Sequence, residues 1–409
     1  MKNITINKSI YLFVSYFFIL LLSNTSNVYA TSFLDIENLN NIPVSKTAIY
    51  PVPKVSAKSW IAIDVNSGQV LAESNSNVKM EPASLTKIMT AYLIFHALED
   101  KRIKLDQLIN ISETAWRTGG SRMFIEPNTN VRVNDLLQGM IVQSGNDATV
   151  ALTEAICGDE ASFIALMNKE AENIGMINTN FANSTGLPDK KHISTAQDLA
   201  KLSVLLIKKY PHFFHYYNQK SFTYNNITQL NRNRLLWADN SIDGMKTGHT
   251  DSAGYCMIST ALKDNRRILV VLLGASSEST RAEESLKILN WSFQNFDTAL
   301  IFEKNQEIVK INVWDGNNSK LSVGSNDALW ISVPRAKLYD IKSTIEYIDP
   351  ILSPINKGDI VGQIKFSLNN KNLLTMPLVS LHHVEKAGLL DKILVLLKKN
   401  FPFNRLITL

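Results

Sequence analysis

The pattern of apolar and polar residues divides the chain into strand-like and helix-like stretches. Two short apolar runs, at residues 60–65 and 69–72, flank Asn66-Ser67-Gly68 and predict a pair of strands joined by a tight turn. Apolar residues then recur at helical spacing, which predicts a series of helices. The first helix begins near Leu85, and further helical segments follow at residues 134–157, 161–174 and 196–208.

Strand character returns late in the chain, at residues 252–261 and 266–274, and another helical segment follows at 281–293. Because the early strands must pair with these late ones, the intervening helices form a layer of their own. The pattern therefore predicts an α/β (α+β) domain at residues 57–298, in which an antiparallel sheet is covered by helical layers. We expect the functional site between the layers.

From about residue 300 the pattern changes to short strand-like runs separated by turns, as in residues 308–314 and 328–333. We therefore predict a small all-β domain at residues 299–386, and we find no catalytic constellation in its sequence. Residues 31–56 are rich in Asn, Ser and Pro and show little periodicity, which is typical of a leader lying over the surface.

Residues 1–30 have the pattern of an export signal. Lys2 and Lys8 precede an apolar core, and Val28-Tyr29-Ala30 offers small residues at the positions that a signal peptidase reads. We predict cleavage after Ala30. The alternative, a retained membrane anchor, is disfavoured because the apolar core is shorter than the ~20 residues that span a bilayer.

Residues 387–409 form a second terminal feature, a tail with helical amphipathicity. On a helical wheel the apolar side chains, such as Leu390 and Leu397, fall on one broad arc, while Lys392 and Lys398 fall opposite. This pattern is typical of a helix lying in an anionic membrane surface, so we predict that the protein binds the periplasmic face of the cytoplasmic membrane. The alternative is a helix packed on the β domain.

Charge and cysteine content exclude several classes of function. The formal net charge is only +5, and two of these charges, Lys2 and Lys8, lie in the predicted signal, so no nucleic-acid partner is expected. Cys157 and Cys256 are the only cysteines, and they fit neither a metal cluster nor a disulfide scaffold. We expect two buried thiols, with a single disulfide between them as the alternative, and we expect no metal and no cofactor.

A serine followed three residues later by a lysine occurs at Ser84-Leu85-Thr86-Lys87. In a helix this spacing places the lysine beside the hydroxyl, and a catalytic serine needs such a base within hydrogen-bond reach. A helix N-terminus also offers N–H groups to an oxyanion and disfavours a positive charge on Lys87. Ser76-Asn77-Val78-Lys79 has the same spacing but lacks apolar periodicity, so we predict Ser84 as the nucleophile.

Two tripeptides complete an ordered set with this motif. Ser144-Gly145-Asn146 follows an apolar run, and Lys246-Thr247-Gly248 precedes the late strands. Each is uninformative alone, but together with Ser84 they form the S-x-x-K, S-x-N and K-T-G system of the penicillin-binding proteins and serine β-lactamases. With the segments around Arg232 and His249 added, nearly the whole chain resembles the low-molecular-mass D-alanyl-D-alanine carboxypeptidases.

The resemblance implies a β-lactamase/transpeptidase-like fold followed by the small all-β domain. It implies a peptidoglycan enzyme that removes the last residue from stem peptides ending in D-Ala-D-Ala, through an ester on Ser84. β-Lactams would be covalent inhibitors of such an enzyme. The first proton would go to Lys87 directly or through Ser144, and the sequence leaves these two routes open.

The resemblance also implies roles for the other motif residues. Asn146 would hold the acyl side of the substrate together with Ser144, and Lys246 would supply positive charge. Thr247 and Arg232 would receive the terminal carboxylate, which suits a hydroxyl and a guanidinium. The backbone N–H groups of Ser84 and His249 would form the oxyanion hole. The implied substrate-binding set is Lys246, Thr247, Gly248, His249 and Arg232.

Two other functions share the motif set. A serine β-lactamase would need a residue that hydrolyses the acyl ester quickly, such as a dedicated glutamate. Glu170 and Glu172 lie in roughly the relevant stretch, but their surroundings predict an ordinary helix. A catalytically idle wall-binding protein would keep the fold, but every motif residue is intact here.

Overall fold

The structure is a computed structural model and describes residues 50–388. The predicted signal at 1–30 and the amphipathic tail from residue 389 onwards lie outside the described residues. The described chain divides into two compact units. The first contains residues 50–301 together with Leu329–Ile341, and the second contains Phe302–Ala328 together with residues 342–388.

The secondary structure follows the predicted order of strands, helices, strands and helix. The strands are β1 (Ser59–Asp64), β2 (Val70–Ser74), β3 (Leu108–Asn110), β4 (Asn130–Arg132), β5 (Ser221–Tyr224), β6 (Ile227–Leu230), β7 (Ile242–Thr250), β8 (Gly254–Lys263), β9 (Arg266–Ala275), β10 (Phe296–Phe302), β11 (Glu307–Trp314), β12 (Lys320–Gly324), β13 (Leu329–Pro334), β14 (Lys342–Tyr347), β15 (Ile351–Leu352), β16 (Ile360–Leu368) and β17 (Lys371–Ser380). The α-helices are α1 (Lys87–Glu99), α2 (Glu113–Arg117), α3 (Val133–Val142), α4 (Asn146–Cys157), α5 (Glu160–Asn173), α6 (Ala196–Lys209), α7 (Leu235–Ala238) and α8 (Glu278–Asn295). Short 3-10 helices span Ala83–Thr86, Pro211–Asn218 and Leu338–Asp340.

The first unit is built on a five-stranded antiparallel sheet with the strand order β2-β1-β9-β8-β7. Strand β1 pairs directly with β9, as the sequence predicted for early and late strands. Alternate residues of β9 enter two different cores, because successive side chains of a strand point to opposite faces. Leu269 and Val271 join the core that contains α1, whereas Ile268 and Val270 join the core that contains α8. The sheet therefore has a helical layer on each face.

Helix α1 has the helical spacing of apolar residues that the sequence predicted, but it has no polar face along its middle. Its residues from Ile88 to Phe95 are all buried, so this part of the helix is enclosed on every side. The 3-10 helix Ala83–Thr86 leads into it, and strand β7 at the sheet edge packs against that 3-10 helix. The most buried helix of the unit thus begins at the predicted catalytic motif.

The predicted helical segment at residues 134–157 is interrupted. Helix α3 ends at Val142 and α4 begins at Asn146, with Ser144 between them in the left-handed region at a φ of 66°. A serine rarely adopts this conformation, which costs about 1–3 kcal/mol and persists only when the surroundings enforce it. The break places the S-x-N motif at the junction of two helices.

The second unit is the all-β part of the chain. Its six strands have the order β14-β16-β17-β12-β11-β15, with antiparallel pairing except between β11 and β15. Its core includes Leu321, Phe366 and Leu378, each almost fully buried. Strand β13 lies in the range predicted for the β domain, but it pairs with β10 and belongs to the first unit.

Three further properties of the described chain bear on function. Cys157 and Cys256 are both free thiols, and Cys157 is only partly buried. Within residues 50–388, no helix has the length and apolar character needed to cross a membrane. In the same residues, no group of at least 3 His, Cys, Asp or Glu side chains is placed to hold a metal ion.

Candidate active site

Ser84 and Lys87 lie on consecutive turns where the 3-10 helix Ala83–Thr86 passes into α1. The Nζ atom of Lys87 is 3.1 Å from the Oγ atom of Ser84. Ala83, just before the serine, adopts a φ of 47°, which is unfavourable for a residue with a Cβ atom. The predicted nucleophile therefore sits on a strained turn that its surroundings must hold in place.

Lys87 is a buried lysine with three acceptors around it. Its Nζ atom donates to Ser84 Oγ, to Asn146 Oδ1 at 2.7 Å and to the backbone oxygen of Thr185 at 2.6 Å. The pKa of Lys87 is lowered from 10.5 to about 7, mainly by burial and then by the positive charge of Arg232, while Asp147 opposes the shift. Near neutral pH a large fraction of Lys87 is therefore uncharged and able to accept a proton.

The S-x-N motif faces this lysine from the junction of α3 and α4. Asn146 is fixed at both ends, since its Oδ1 accepts from Lys87 and its Nδ2 donates to the backbone oxygen of Gly119 at 2.6 Å. Ser144 is 3% exposed, and its Oγ atom has no hydrogen-bond partner among residues 50–388. The structure thus fixes the amide firmly and leaves a buried hydroxyl available.

Asp147, which the sequence analysis did not single out, anchors the wall of the site. Its carboxylate accepts hydrogen bonds from the backbone N–H groups of Met123 and Phe124, each at 3.0 Å, and of Ala148 at 2.8 Å. The loop before Met123 carries Gly119, the acceptor for Asn146. Asp147 therefore ties this loop to the N-terminus of α4 and holds the asparagine in place.

The K-T-G motif lies on β7, at the edge of the sheet. Lys246 is buried, and its Nζ atom donates to the backbone oxygen of Thr247 at 2.9 Å. Its pKa is lowered well below the ordinary value, mainly by burial and then by the charges of Lys87, Arg232 and Arg281. These cations repel one another in the free protein, and an anionic ligand would relieve that repulsion.

Gly248 allows β7 to approach the nucleophile. A Cβ atom at this position would lie 3.0 Å from the backbone nitrogen of Ser84 and 3.1 Å from the Cβ atom of Ala83. A side chain at this position would therefore push the 3-10 helix away by a few tenths of an ångström, and glycine avoids that shift. The three motifs, from a helix start, a helix junction and an edge strand, are thereby brought to one place.

Arg232 and His249 lie at the exposed rim of this site. With its amide oxygen turned towards Arg232, Gln143 accepts a hydrogen bond from the guanidinium at 3.1 Å, which places Arg232 next to the S-x-N motif. The imidazole of His249 packs on Tyr255 with ring centroids 4.1 Å apart. Both side chains are exposed, in contrast to the buried lysines.

Further contributors come from parts of the chain that belong to none of the three motifs. Thr185 offers a backbone oxygen to Lys87, and the next residue, Gly186, is packed so tightly that a Cβ atom would lie 1.9 Å from the backbone oxygen of Ala83. Arg281 of α8 is 5% exposed and donates to the backbone oxygen of Gly248 at 3.4 Å. The cluster of Asn, Ser, Thr, Gly and Pro at residues 183–188 predicts a loop, but nothing in the sequence indicates what that loop contacts.

Two protein-family models match the two parts of this chain. The family model described as D-alanyl-D-alanine carboxypeptidase matches residues 45–277, and the model for the C-terminal domain of penicillin-binding protein 5 matches residues 296–386. The chain belongs to the D-alanyl-D-alanine carboxypeptidase family. The predicted fold, a transpeptidase-like domain followed by an all-β domain, is confirmed.

Individual relatives cover most of the chain. D-alanyl-D-alanine carboxypeptidase DacC of Escherichia coli is 40% identical over 83% of this chain and 87% of its own length. The crystal structure of penicillin-binding protein 5 from Haemophilus influenzae superposes with a TM-score of 0.79 and 36% identity, and it covers 82% of this chain and 100% of its own. Penicillin-binding protein D2 from Listeria monocytogenes in its ampicillin-bound form matches with a TM-score of 0.55 and 30% identity, over 60% of this chain and 100% of its own.

Proposed function

We propose that this protein is a serine carboxypeptidase that removes the terminal D-alanine from peptidoglycan stem pentapeptides through an acyl-enzyme on Ser84. The observation that carries the proposal is the contact between Ser84 Oγ and the buried Nζ atom of Lys87, whose pKa is lowered to about 7. A hydroxyl is a weak nucleophile until a neighbouring base accepts its proton, and this lysine has the position and the pKa for that task.

The reaction follows from this contact in two steps. Ser84 Oγ attacks the carbonyl carbon of the penultimate D-alanine while its proton passes to Lys87. The carbon–nitrogen bond then breaks, the proton goes to the leaving amino group of the terminal D-alanine, and an ester remains on Ser84. In the second step water attacks the ester carbonyl and gives a proton to the same base. The bond to Ser84 Oγ then breaks, the base returns that proton to Ser84 Oγ, and the shortened peptide leaves. The backbone N–H groups of Ser84 and His249 stabilise the oxyanion in both steps.

The charges of the site support a substrate that ends in a carboxylate. Arg232 at the rim and the buried Arg281 carry positive charges that act on Lys246, and a bound carboxylate would favour the charged form of Lys246 as well. The hydroxyl of Thr247 and the guanidinium of Arg232 supply hydrogen-bond donors suited to a carboxylate. A peptidase that removes the last residue of a chain must recognise the terminal carboxylate, and these donors and positive charges can bind it.

The geometry favours Lys87 over Ser144 as the direct base. Lys87 contacts Ser84 Oγ at 3.1 Å, whereas the Oγ atom of Ser144 makes no hydrogen bond within the described residues. Ser144 is therefore placed to carry the proton to the leaving amine once substrate is bound. Asn146 accepts a hydrogen bond from Lys87 and also holds the acyl side of the substrate, so it keeps the two aligned.

β-Lactamase activity is the alternative that shares the nucleophile. Fast hydrolysis of the acyl ester would need a glutamate that activates water. Glu170 accepts a hydrogen bond from Asn173 within α5, and Glu172 is exposed. Glu160, which contacts the loop that contains Thr185, accepts a hydrogen bond from the hydroxyl of Ser184 at 2.6 Å. We therefore expect a penicillin to form a long-lived adduct and a chromogenic cephalosporin to be hydrolysed slowly.

Release of D-alanine from a stem pentapeptide tests the proposal. The wild-type protein should release D-alanine, and Ser84→Ala should lower the rate by about 10⁴-fold or more, because the nucleophile acts as a unit with its base. Ser76→Ala is the matched control and should keep the wild-type rate, although it removes the hydrogen bond to Glu73. Equal release by the wild type and Ser84→Ala would refute the enzyme assignment.

We further propose that the protein acts at the outer face of the cytoplasmic membrane. The support is the predicted signal at residues 1–30 and the predicted basic amphipathic helix at 387–409. Deletion of residues 387–409 should move the mature protein from the membrane fraction to the soluble fraction, with unchanged D-alanine release from a soluble pentapeptide. Retention of the shortened protein on membranes would contradict the tail assignment.

A further inference from the structure

A buried histidine that no motif includes lies beneath the nucleophile turn. His192 is 1% exposed, and its Nδ1 atom accepts a hydrogen bond from the backbone N–H of Ala182 at 3.1 Å. In a neutral imidazole the proton must then be on Nε2, which lies 2.7 Å from the hydroxyl of Thr86. His192 is therefore the donor in this contact and Thr86 the acceptor.

The hydroxyl of Thr86 connects His192 to the turn that holds Ser84. It donates to the backbone oxygen of Ala83 at 2.7 Å, within the same 3-10 helix. The hydrogen bonds thus run in one direction, from the backbone of Ala182 through His192 and Thr86 to the carbonyl of Ala83. Each member has one donor and one acceptor in use, so the chain of contacts is fully satisfied.

The carbonyl of Ala83 and the N–H of Ser84 belong to one peptide unit. Because a peptide unit is planar and trans, fixing the direction of the carbonyl also fixes the direction of the N–H. This unit follows the strained Ala83, with its φ of 47°, and Gly186 lies against it with no room for a side chain. The i to i+3 backbone bonding of the 3-10 helix also engages this carbonyl, and the hydroxyl of Thr86 adds a second, side-chain donor to it.

We propose that Thr86 and His192 are positioning residues that aim the N–H of Ser84 at the oxyanion. This inference rests on the proposed function, in which that N–H stabilises the tetrahedral intermediate. Removal of one oxyanion-hole donor lowers enzymatic rates by roughly 10²–10³-fold. A donor that is present but misdirected should cost less, so we expect a loss of about 10- to 100-fold in acylation when the hydroxyl of Thr86 is removed.

The protonation state of His192 suits this task. The pKa of His192 is lowered to about 4, mainly by burial and also by the positive charge of Lys87, against the opposing charge of Asp189. The imidazole is therefore neutral near pH 7. A protonated ring would present N–H groups on both sides and would lose the contact with Ala182.

The test compares Thr86→Val, which keeps the shape and removes the hydroxyl, with Thr86→Ser, which keeps the hydroxyl. Two quantities are measured on the full chain: the second-order rate of acylation by a penicillin, and the carbonyl stretching band of the resulting acyl-enzyme by infrared difference spectroscopy. Thr86→Val should acylate about 10- to 100-fold more slowly, and its acyl carbonyl band should move to higher wavenumber because the hydrogen bond to it is weaker. Thr86→Ser should restore both values.

His192→Gln provides an independent arm if Thr86→Val folds poorly. An unchanged carbonyl band in Thr86→Val and His192→Gln, with wild-type acylation rates, would overturn the inference while leaving the function intact. A slower rate with an unchanged band would also overturn it, since the effect would then lie outside the oxyanion hole. Failure of the wild-type protein to form any adduct on Ser84 would instead refute the proposed function.

Discussion

Two segments of this chain have a serine followed three residues later by a lysine, and they differ in almost every physical respect. Ser76 lies in a turn and donates its hydroxyl proton to the carboxylate of Glu73, while Lys79 is exposed. Ser84 lies in a 3-10 helix, and Lys87 is 1% exposed with Nζ 3.1 Å from the serine oxygen. The same spacing gives a buried serine with an exposed lysine in one place and a candidate catalytic pair in the other.

The difference shows that a serine and a lysine three residues apart form a reactive pair only when the local conformation and the burial of the lysine allow it. A helical turn brings residues three apart onto the same face, whereas the turn at Ser76 does not. Burial then lowers the pKa of Lys87 to about 7, which an exposed lysine cannot achieve. A catalytic lysine therefore depends on the core around α1 as much as on its own side chain.

Among the tests of this comparison, replacement of the two lysines should give the largest effect. Lys87→Gln should lower the rate of acylation by a penicillin by about 10³-fold, because general-base catalysis contributes roughly 10²–10⁴-fold. Lys79→Gln should leave the rate unchanged within about two-fold, since surface substitutions away from a site have small effects. Stopped-flow acylation measures both. A similar loss in both variants would remove the distinction between the two segments.

A smaller effect is expected at Ser144. If Lys87 takes the first proton directly, Ser144→Ala should slow acylation by about 10²-fold, less than Lys87→Gln, because only proton delivery to the leaving group is impaired. The same acylation assay provides the comparison. A loss at Ser144 larger than the loss at Lys87 would favour the relay as the first acceptor.

The pH dependence should show the lowered pKa of Lys87. The neutral amine is the active form, so the acylation rate should rise as the pH increases through about 7. The positive charge of Arg232 contributes to the lowering, and Arg232→Gln should therefore raise the pKa of Lys87 and move the rising limb to higher pH. Profiles of kcat/KM against pH measure this shift.

The smallest effect in the series concerns substrate binding at the rim. Arg232→Gln should raise KM for the pentapeptide by about 10-fold through the loss of a charge-assisted hydrogen bond to the carboxylate. Arg234, two residues further on, is exposed and pairs with Glu278 at 3.0 Å, so Arg234→Gln is the matched control. Such exposed pairs contribute little. Equal KM values in the two variants would remove Arg232 from the carboxylate site.

Much of this architecture could be predicted from the sequence because it depends on local patterns. The apolar periodicity predicted β1, β9 and α1 near their observed positions, and the S-x-x-K motif lies at the helix start expected for it. The K-T-G motif was expected just before the late strands, but it lies within β7, a strand that the apolar pattern did not predict. The break at Ser144 was not predicted, because α3 and α4 together have an uninterrupted helical pattern and the left-handed serine is enforced by tertiary contacts.

Other parts of the site could not be predicted because they depend on contacts between distant segments. The backbone oxygen of Thr185 reaches Lys87 only once the loop has folded over the helix start. Every residue has a backbone oxygen, so the residue type at position 185 could not indicate this contact. The buried Arg281 is similar, since its sequence context predicts only the first turn of a helix. Strand β13 was predicted as a strand, but strand patterns do not identify the pairing partner, which is β10.

The most direct test of the central claim is to locate the acyl group after brief exposure of the wild-type protein to a penicillin. Tryptic cleavage after Lys79 and Lys87 puts the two candidate serines on different peptides, with Ser84 on residues 80–87 and Ser76 on residues 59–79. We predict the mass of the penicilloyl group on the peptide at 80–87 and none on the peptide at 59–79. An adduct on the peptide that contains Ser76, or no stable adduct on either, would contradict the assignment of Ser84 as the nucleophile.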